Sequence, residues 1–266
     1  MTDDAQIFDR ALLQRRHRRT ASCFDDHNFL HKVARDQIHD RLRDIKRDFQ
    51  IIKDVQAGDF QDDFEALKLE KNSLDLVTST LNLHSINDLP GALTQIKSSL
   101  KADGLFVAAM FGGETLHELR ESLMQAEMQL KGGVSPRVFP FADKQQMGAL
   151  LQRAGFALPV VDSDIVTVTY ENIFKLMHDL RGMGESNIIL ERSRTNPGKE
   201  FFMKAAEHYQ EHFADREGRI EARFEIIYLI GWSPHESQQK PLKPGSAQSR
   251  LADALHTDEI KTGERP

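Results

Sequence analysis

Residues 73–113, SLDLVTSTLNLHSINDLPGALTQIKSSLKADGLFVAAMFGG, constrain the fold more than any other stretch of this 266-residue chain. An apolar run holding Leu74, Leu76, Val77, Leu81 and Leu83 gives way to a turn with Asn87, Asp88 and Pro90. A segment of helical period follows, and Asp103-Gly104 introduces a second apolar run from Leu105 to Phe111. Strand, helix and strand in that order, with both strands apolar enough to be buried on both faces, predict a βαβ unit whose strands are parallel neighbours. Asp88 is placed to cap the helix's first free amides, and Pro90 fits the first turn, where no hydrogen bond is lost. In sheets of this kind ligands collect at the carboxyl ends of the strands.

The length suits one large α/β domain with additions. A formal charge of -6 leaves no basic excess of the kind that nucleic acid would attract, so none is expected as a partner. The single cysteine, Cys23, cannot form an intramolecular disulfide, and no Cys/His cluster has zinc-like spacing, which points to a reducing compartment and no metal. No apolar run approaches the ~20 residues that span a bilayer. The start, MTDDAQIFDR, lacks a signal peptide's apolar core and is too acidic for a transit peptide, so the expectation is a bacterial cytoplasmic protein.

Residues 7–48 carry an apolar stripe of helical period, including Leu12, Leu13, Leu30, Ile38 and Leu42, with an interruption near residues 22–28. Their basic cluster, Arg15, Arg16, Arg18 and Arg19, reads as a solvated face or as a surface for an acidic protein partner. Phe49 to Val55 is the expected first strand. Beyond the βαβ unit come an amphipathic helix ending at Gly132-Gly133, a short helix over 144–155, a strand over 156–170, helices over 172–181 and 199–213, and a long strand over 223–232. The organisation expected is an N-terminal helical segment (1–48), an α/β domain (49–235) with a helical insert at about 171–215, and a polar tail (236–266). His235-Glu236 has no metal-ligand spacing and reads as a surface motif.

The segments LHSINDLPGAL, DGLFVAAMFGGETLHELR, GGVSPRVFPFAD, LLQRAGF, DLRGMGESN and YLIGWSPHESQ, preceded by IFDRALLQRRHRR, lie in this order along almost the whole chain. They resemble the class I S-adenosylmethionine-dependent methyltransferases, in particular the branch of methyltransferase-like assembly factors of respiratory complex I and their bacterial relatives. The resemblance implies a Rossmann-like three-layer α/β fold, S-adenosylmethionine as cofactor, and N-terminal helices over the cofactor cleft. It also implies a protein or small-molecule substrate, a complex I subunit among the candidates. Because that branch is linked to arginine hydroxylation of a complex I subunit, hydroxylation is a variant of the enzyme reading.

The chain departs from this pattern in one place. Asp54-Val55-Gln56-Ala57-Gly58 puts glutamine where the first glycine of the cofactor loop is expected. Only eight residues then separate Asp54 from Asp63, which matches an acidic motif that lies much further downstream in the family. A βαβ unit takes ~30 residues, so the first crossover helix and second strand cannot fit, and the acidic residue that holds the ribose goes with them. The expected sheet is therefore shortened and mostly parallel, with an edge that must be short, covered or paired, for example in a homodimer.

The resemblance assigns Asp54, Gln56, Asp63 and Leu81 to the cofactor side. His84 follows the strand where cofactor and substrate meet, and either orients or deprotonates an acceptor or is a structural histidine. Arg137, in a proline-punctuated loop, is suited to a carboxylate or phosphate. Glu185 and Asn187 stand in a glycine-bearing segment that fits both a helix C-cap and a substrate-side loop. Two functions follow: a transferase, or a non-catalytic assembly factor that keeps the substrate-side surface and has lost the cofactor.

Overall fold

Three helices open the chain, α1 (Arg10–Thr20), α2 (Phe24–His27) and α3 (Phe29–Arg43), in a computed structural model that describes residues 6–61, 65–239, 246 and 251–258. The breaks at Cys23 and Asn28 fall inside the expected interruption. The helix expected to reach residue 48 stops at Arg43, and the cause lies in the groups that follow. The Arg47 guanidinium meets the Asp103 carboxylate at 2.6 Å, and the Asp75 carboxylate accepts from the amides of Gln50 and Ile51 at 3.2 and 2.9 Å. These bonds draw the chain out of helix and hand two amides to a side chain, so β1 (Ile52–Asp54) is shorter than the run of 49–55 suggested.

A two-stranded antiparallel ribbon, β2 (Phe60–Gln61) and β3 (Ala66–Leu67), precedes the predicted βαβ unit. That unit is β4 (Leu74–Thr80), α4 (Leu89–Ser99) and β5 (Leu100–Phe111), with Asp88 Oδ1 accepting from Gly91 N at 2.9 Å as the cap. After it come α5 (His117–Lys131), α6 (Lys144–Arg153), β6 (Ala157–Tyr170), α7 (Ile173–Gly182), α8 (Lys199–Phe213) and β7 (Ile220–Trp232). Residues 235–266 form a separate unit in which α9 (Leu251–Leu255) is a short helix.

The sheet runs β1-β4-β5-β7-β6. β1, β4 and β5 are mutually parallel, β7 is antiparallel to β5, and β6 is antiparallel to β7. No crossover helix or further strand is found between β1 and the ribbon among the described residues, so the sheet is shortened on the side the sequence indicated. The long strand over 220–232 lies second from the far edge, inside β6. Asp103-Gly104, read as the turn before β5, is instead a bulge within it: Leu74 faces Leu100 while Leu76 faces Leu105, and Asp103 takes up the slack at φ 61°.

Alternation along β5 builds the three layers. Leu105, Val107, Ala109 and Phe111 pack with α3, α5, α7 and α8, whereas Phe106, Ala108 and Met110 pack with α4 and α6. At the truncated side the edge is only three residues long, with Ile51 and Ile52 half exposed. No helix among the described residues is long and apolar enough to cross a membrane.

Phe106 is fully buried opposite Val77 and stacks on Phe156 at 5.4 Å. Phe106→Ala is expected to cost about 3–5 kcal/mol in urea titrations followed by circular dichroism. A loss below about 1 kcal/mol would show that β5 is not a core strand.

Candidate functional site

The site forms at the carboxyl ends of the parallel strands β1 and β4. Asp54 closes β1; its carboxylate accepts from Thr78 Oγ1 at 2.8 Å and Gln56 Nε2 at 3.3 Å. In place of a glycine loop, Gln56 caps a single 3-10 turn, Ala57–Asp59. The Asp59 carboxylate accepts from Gln56 N at 2.9 Å, and Asn82 Oδ1 accepts from Ala57 N at 3.1 Å. Two amides that an open loop would aim at a ligand are thus bonded within the chain. An added Cβ on Gly58 meets nothing within 4 Å, so this glycine makes no close approach. Beyond β4, Leu81 turns the chain at φ 51°, and a second 3-10 turn, Leu83–Ser85, brings His84 inward.

A cavity of about 340 Å³ lies over these strand ends. Asp54, Gln56, Leu81 and Asn82 face it from the sheet, and His17 and His31 from α1 and α3. Burial, the main cause in each case, lowers the pKa of His17 and takes that of His31 to about 4, so both imidazoles are neutral at neutral pH. The N-terminal helices therefore roof the cavity. Asp63 lies outside the described residues. Glu65, from the same acidic motif, is buried and accepts from the amides of Asn87 and Asp88 at 3.0 and 2.7 Å, with Arg10 Nε at 3.3 Å. It ties α1 to the start of α4.

A second cavity, of about 210 Å³, opens between the end of β5, α5, the 137–141 loop and α7. Phe111, Phe139 and Phe141 form aromatic walls, and Arg137, Glu185 and Asn187 also line it. Glu185 lines both cavities. Its carboxylate lies 3.1 Å from His84 Nε2, and the His84 ring sits 4.9 Å from Phe111 and 5.8 Å from Phe141. Burial opposes the charge on Glu185, but the hydrogen bond and proximity of His84 outweigh it and hold the carboxyl below the usual range. His84 itself is buried, faces neither cavity, and acts on them through Glu185.

Of the remaining residues singled out in the sequence, Arg137 has a carboxylate partner within the chain. Its guanidinium meets Glu127 at 2.6 and 3.1 Å and lies over the Phe201 ring. Asn187 donates to Pro136 O at 2.8 Å and accepts from Ile189 N at 2.9 Å, so its amide pins the loop it belongs to. The glycine segment ends a helix, as one of its two readings expected, and its polar residues border the second cavity. α7 ends at Gly182, where an added Cβ would strike the His27 ring at 2.1 Å, and Gly184, at φ 86°, would strike His17. These glycines let the segment close against the N-terminal helices while Glu185, Ser186 and Asn187 turn to the cavity. Sequence reasoning missed the aromatic walls, although Phe139 and Phe141, two residues apart around Pro140, carried the signal for one shared face.

A three-layer, mostly parallel sheet with its cavity at the carboxyl ends of β1 and β4 defines a class I methyltransferase-like α/β protein. The Methyltransferase domain family profile matches residues 13–159. The chain is 37% identical to the mitochondrial arginine-hydroxylase NDUFAF5 of Danio rerio, over 97% of this chain and 92% of that one. It is also 37% identical to the Mus musculus protein of the same name, over 97% and 87%. A malonyl-[acyl-carrier protein] O-methyltransferase of Gallionella capsiferriformans is 35% identical over 65% of this chain and 57% of its own. The chain belongs to the methyltransferase-domain family, in the same branch as the NDUFAF5 proteins. The alignment with the Danio protein spans 297 positions, more than the 266 residues of this chain, so the relative carries residues that face gaps here.

The Glu127–Arg137 pair gives a pH test. Burial alone would raise the Glu127 carboxyl, but hydrogen bonds from Arg137 and Ser135 outweigh it and bring it down to about 2. A depressed folded-state pKa contributes stability that is complete above the ordinary carboxylate value of 4.5 and is lost as pH falls from there towards 2. Removing the arginine leaves the buried carboxylate with Ser135 and with Lys131 Nζ at 3.6 Å, so Arg137→Met is expected to lose about 1–3 kcal/mol at pH 7 and much less at pH 3, read from urea midpoints. Equal losses at both pH values would show that the pair is not ionised.

Proposed function

We propose that this protein binds an arginine side chain of a protein substrate in the cavity beside Glu185, and that it serves arginine modification, hydroxylation by the name its relatives carry, during assembly of respiratory complex I. The observation that carries this reading is an ionised carboxylate at an aromatic-walled cavity, Glu185 with Phe111, Phe139 and Phe141. A guanidinium matches both features, because it pairs with a carboxylate through a planar fork and lies favourably on aromatic faces. His84 is the positioning residue, holding Glu185 through Nε2.

The fold is one that binds S-adenosylmethionine, but the residues present do not complete that site. Asp54, Leu81 and Asn82 stand at the strand ends and the space above them is open. The loop amides are bonded internally, and among the described residues no strand follows β1 to bring a carboxylate to the ribose. The self-capped turn favours a second reading: a non-catalytic assembly factor that keeps the substrate cavity.

Calorimetric titration separates these ideas. A peptide with one arginine is expected to bind, and its lysine counterpart and the Glu185→Gln protein to bind about tenfold or more weakly, since a hydrogen bond to a charged group contributes about 1.5–3 kcal/mol. Equal affinity for the two peptides would end the arginine reading. Titration with S-adenosylmethionine and S-adenosylhomocysteine then decides between enzyme and assembly factor. Micromolar binding removes the second reading, and no heat up to millimolar ligand, with folded protein, supports it.

A further inference from the structure

The arginine cavity does not end at its mouth. Next to it lies a shallow apolar depression lined by Phe174, Met177, His178, Arg181 and Phe202, and Met177, Arg181 and Phe202 line both. The α7 residues in this set, 174, 177, 178 and 181, recur at helical spacing and so share one face of the helix. Phe174 is 46% exposed, and Met203 on the neighbouring helix α8 is 51% exposed. The same helix is held from another direction, with His27 Nδ1 2.8 Å from the Asp179 carboxylate. Arg181, exposed at the junction of cavity and depression, makes no ion pair among the described residues.

We propose that this shelf is where the substrate polypeptide lies, with an apolar side chain against Phe174 and Phe202 and a carboxylate at Arg181, both a few residues from the arginine that enters the cavity. The proposal rests on the arginine reading and deepens it. A side chain inserted beside Glu185 leaves its own main chain at the cavity mouth, and that chain must cross the surface that begins there. Three shared lining residues make the shelf the continuation of that mouth. The charges alternate in a way that selects a partner: a carboxylate inside, an unpaired guanidinium at the rim, apolar surface beyond. An arginine flanked by an acidic and an apolar residue complements all three, whereas an arginine in a run of basic residues meets repulsion at Arg181.

The test uses the full chain and four peptides that share one backbone. The parent has a single arginine with leucine and aspartate within three positions of it; the others carry leucine changed to serine, aspartate changed to asparagine, or arginine changed to lysine. Wild-type protein is expected to bind the parent about fivefold or more tightly than the serine peptide, since part of a leucine side chain leaves water on the shelf. Phe174→Ser, a change at an exposed position whose folding is checked by thermal melting, is expected to bind those two alike. Arg181→Gln is expected to erase the preference for aspartate over asparagine and to leave the leucine preference in place.

No leucine preference in the wild type, or one that persists in Phe174→Ser, overturns the shelf. An unchanged response to the lysine peptide overturns the arginine cavity instead, so the two failures are distinct. Absence of binding by any peptide up to millimolar concentration overturns both. A dimer seen by light scattering that Phe174→Ser dissolves would also overturn the proposal, because the shelf's occupant would then be a second copy of this chain.

Discussion

The constraint on which the rest of this structure depends is that β5 is buried on both faces. Leu105 to Phe111 are at most 2% exposed, and alternate side chains point to opposite layers. A strand of this kind cannot stand at an edge or face water on one side, so helices must cover both surfaces and strands must flank it. The β4–α4–β5 crossover supplies one neighbour in parallel, and β7 supplies the other in antiparallel sense. Once these are in place, the carboxyl ends of β1 and β4 and the turns leaving them open on the same side of the sheet, where both cavities lie.

The shortened first half of the sheet leaves this arrangement intact. The chain leaves β1 through a turn that caps itself and a two-residue ribbon, and Glu65 then fastens the result to its surroundings. Its carboxylate is held by two amides at the start of α4 and by Arg10 of the N-terminal helix. An acidic side chain two residues from Asp63, which the resemblance assigns to the cofactor side, is here a structural clamp. The roof over the cavity is anchored equally by polar contacts: Arg16 donates to Asn187 O at 2.7 Å, and Asp9 N donates to Ile188 O at 2.8 Å.

Much of this was legible in the sequence, for reasons that are physical. Apolar runs and a capping aspartate specify a βαβ unit locally, and the eight-residue spacing between Asp54 and Asp63 excludes a crossover by length alone. The end of α3 was not legible, because it depends on Arg47 finding Asp103 and on the Gln50 and Ile51 amides finding Asp75, all distant in sequence. The partners of the polar candidates were hidden for the same reason. Nothing local says that Arg137 will be claimed by Glu127 or that the Asn187 amide will be claimed by Pro136. Sequence patterns report which groups can do chemistry, and only the fold reports which of them have their bonds already made.

That distinction isolates Glu185. A carboxylate offers about four acceptor positions, and this one makes a single hydrogen bond among the described residues, to His84. Glu127 shows the alternative: its two oxygens are filled by Arg137 and Ser135, and it has no capacity left for a ligand. An ionised group withdrawn from water with its bonding incomplete is costly to the fold, and such costs are tolerated where a ligand supplies the missing partners. His84 meets enough of the cost to keep the charge, and the residue borders both the aromatic-walled cavity and the one beneath the N-terminal helices. A planar cation with several N–H donors satisfies such a site more fully than water or a compact ammonium does, because it fills acceptor positions and covers aromatic faces in the same pose.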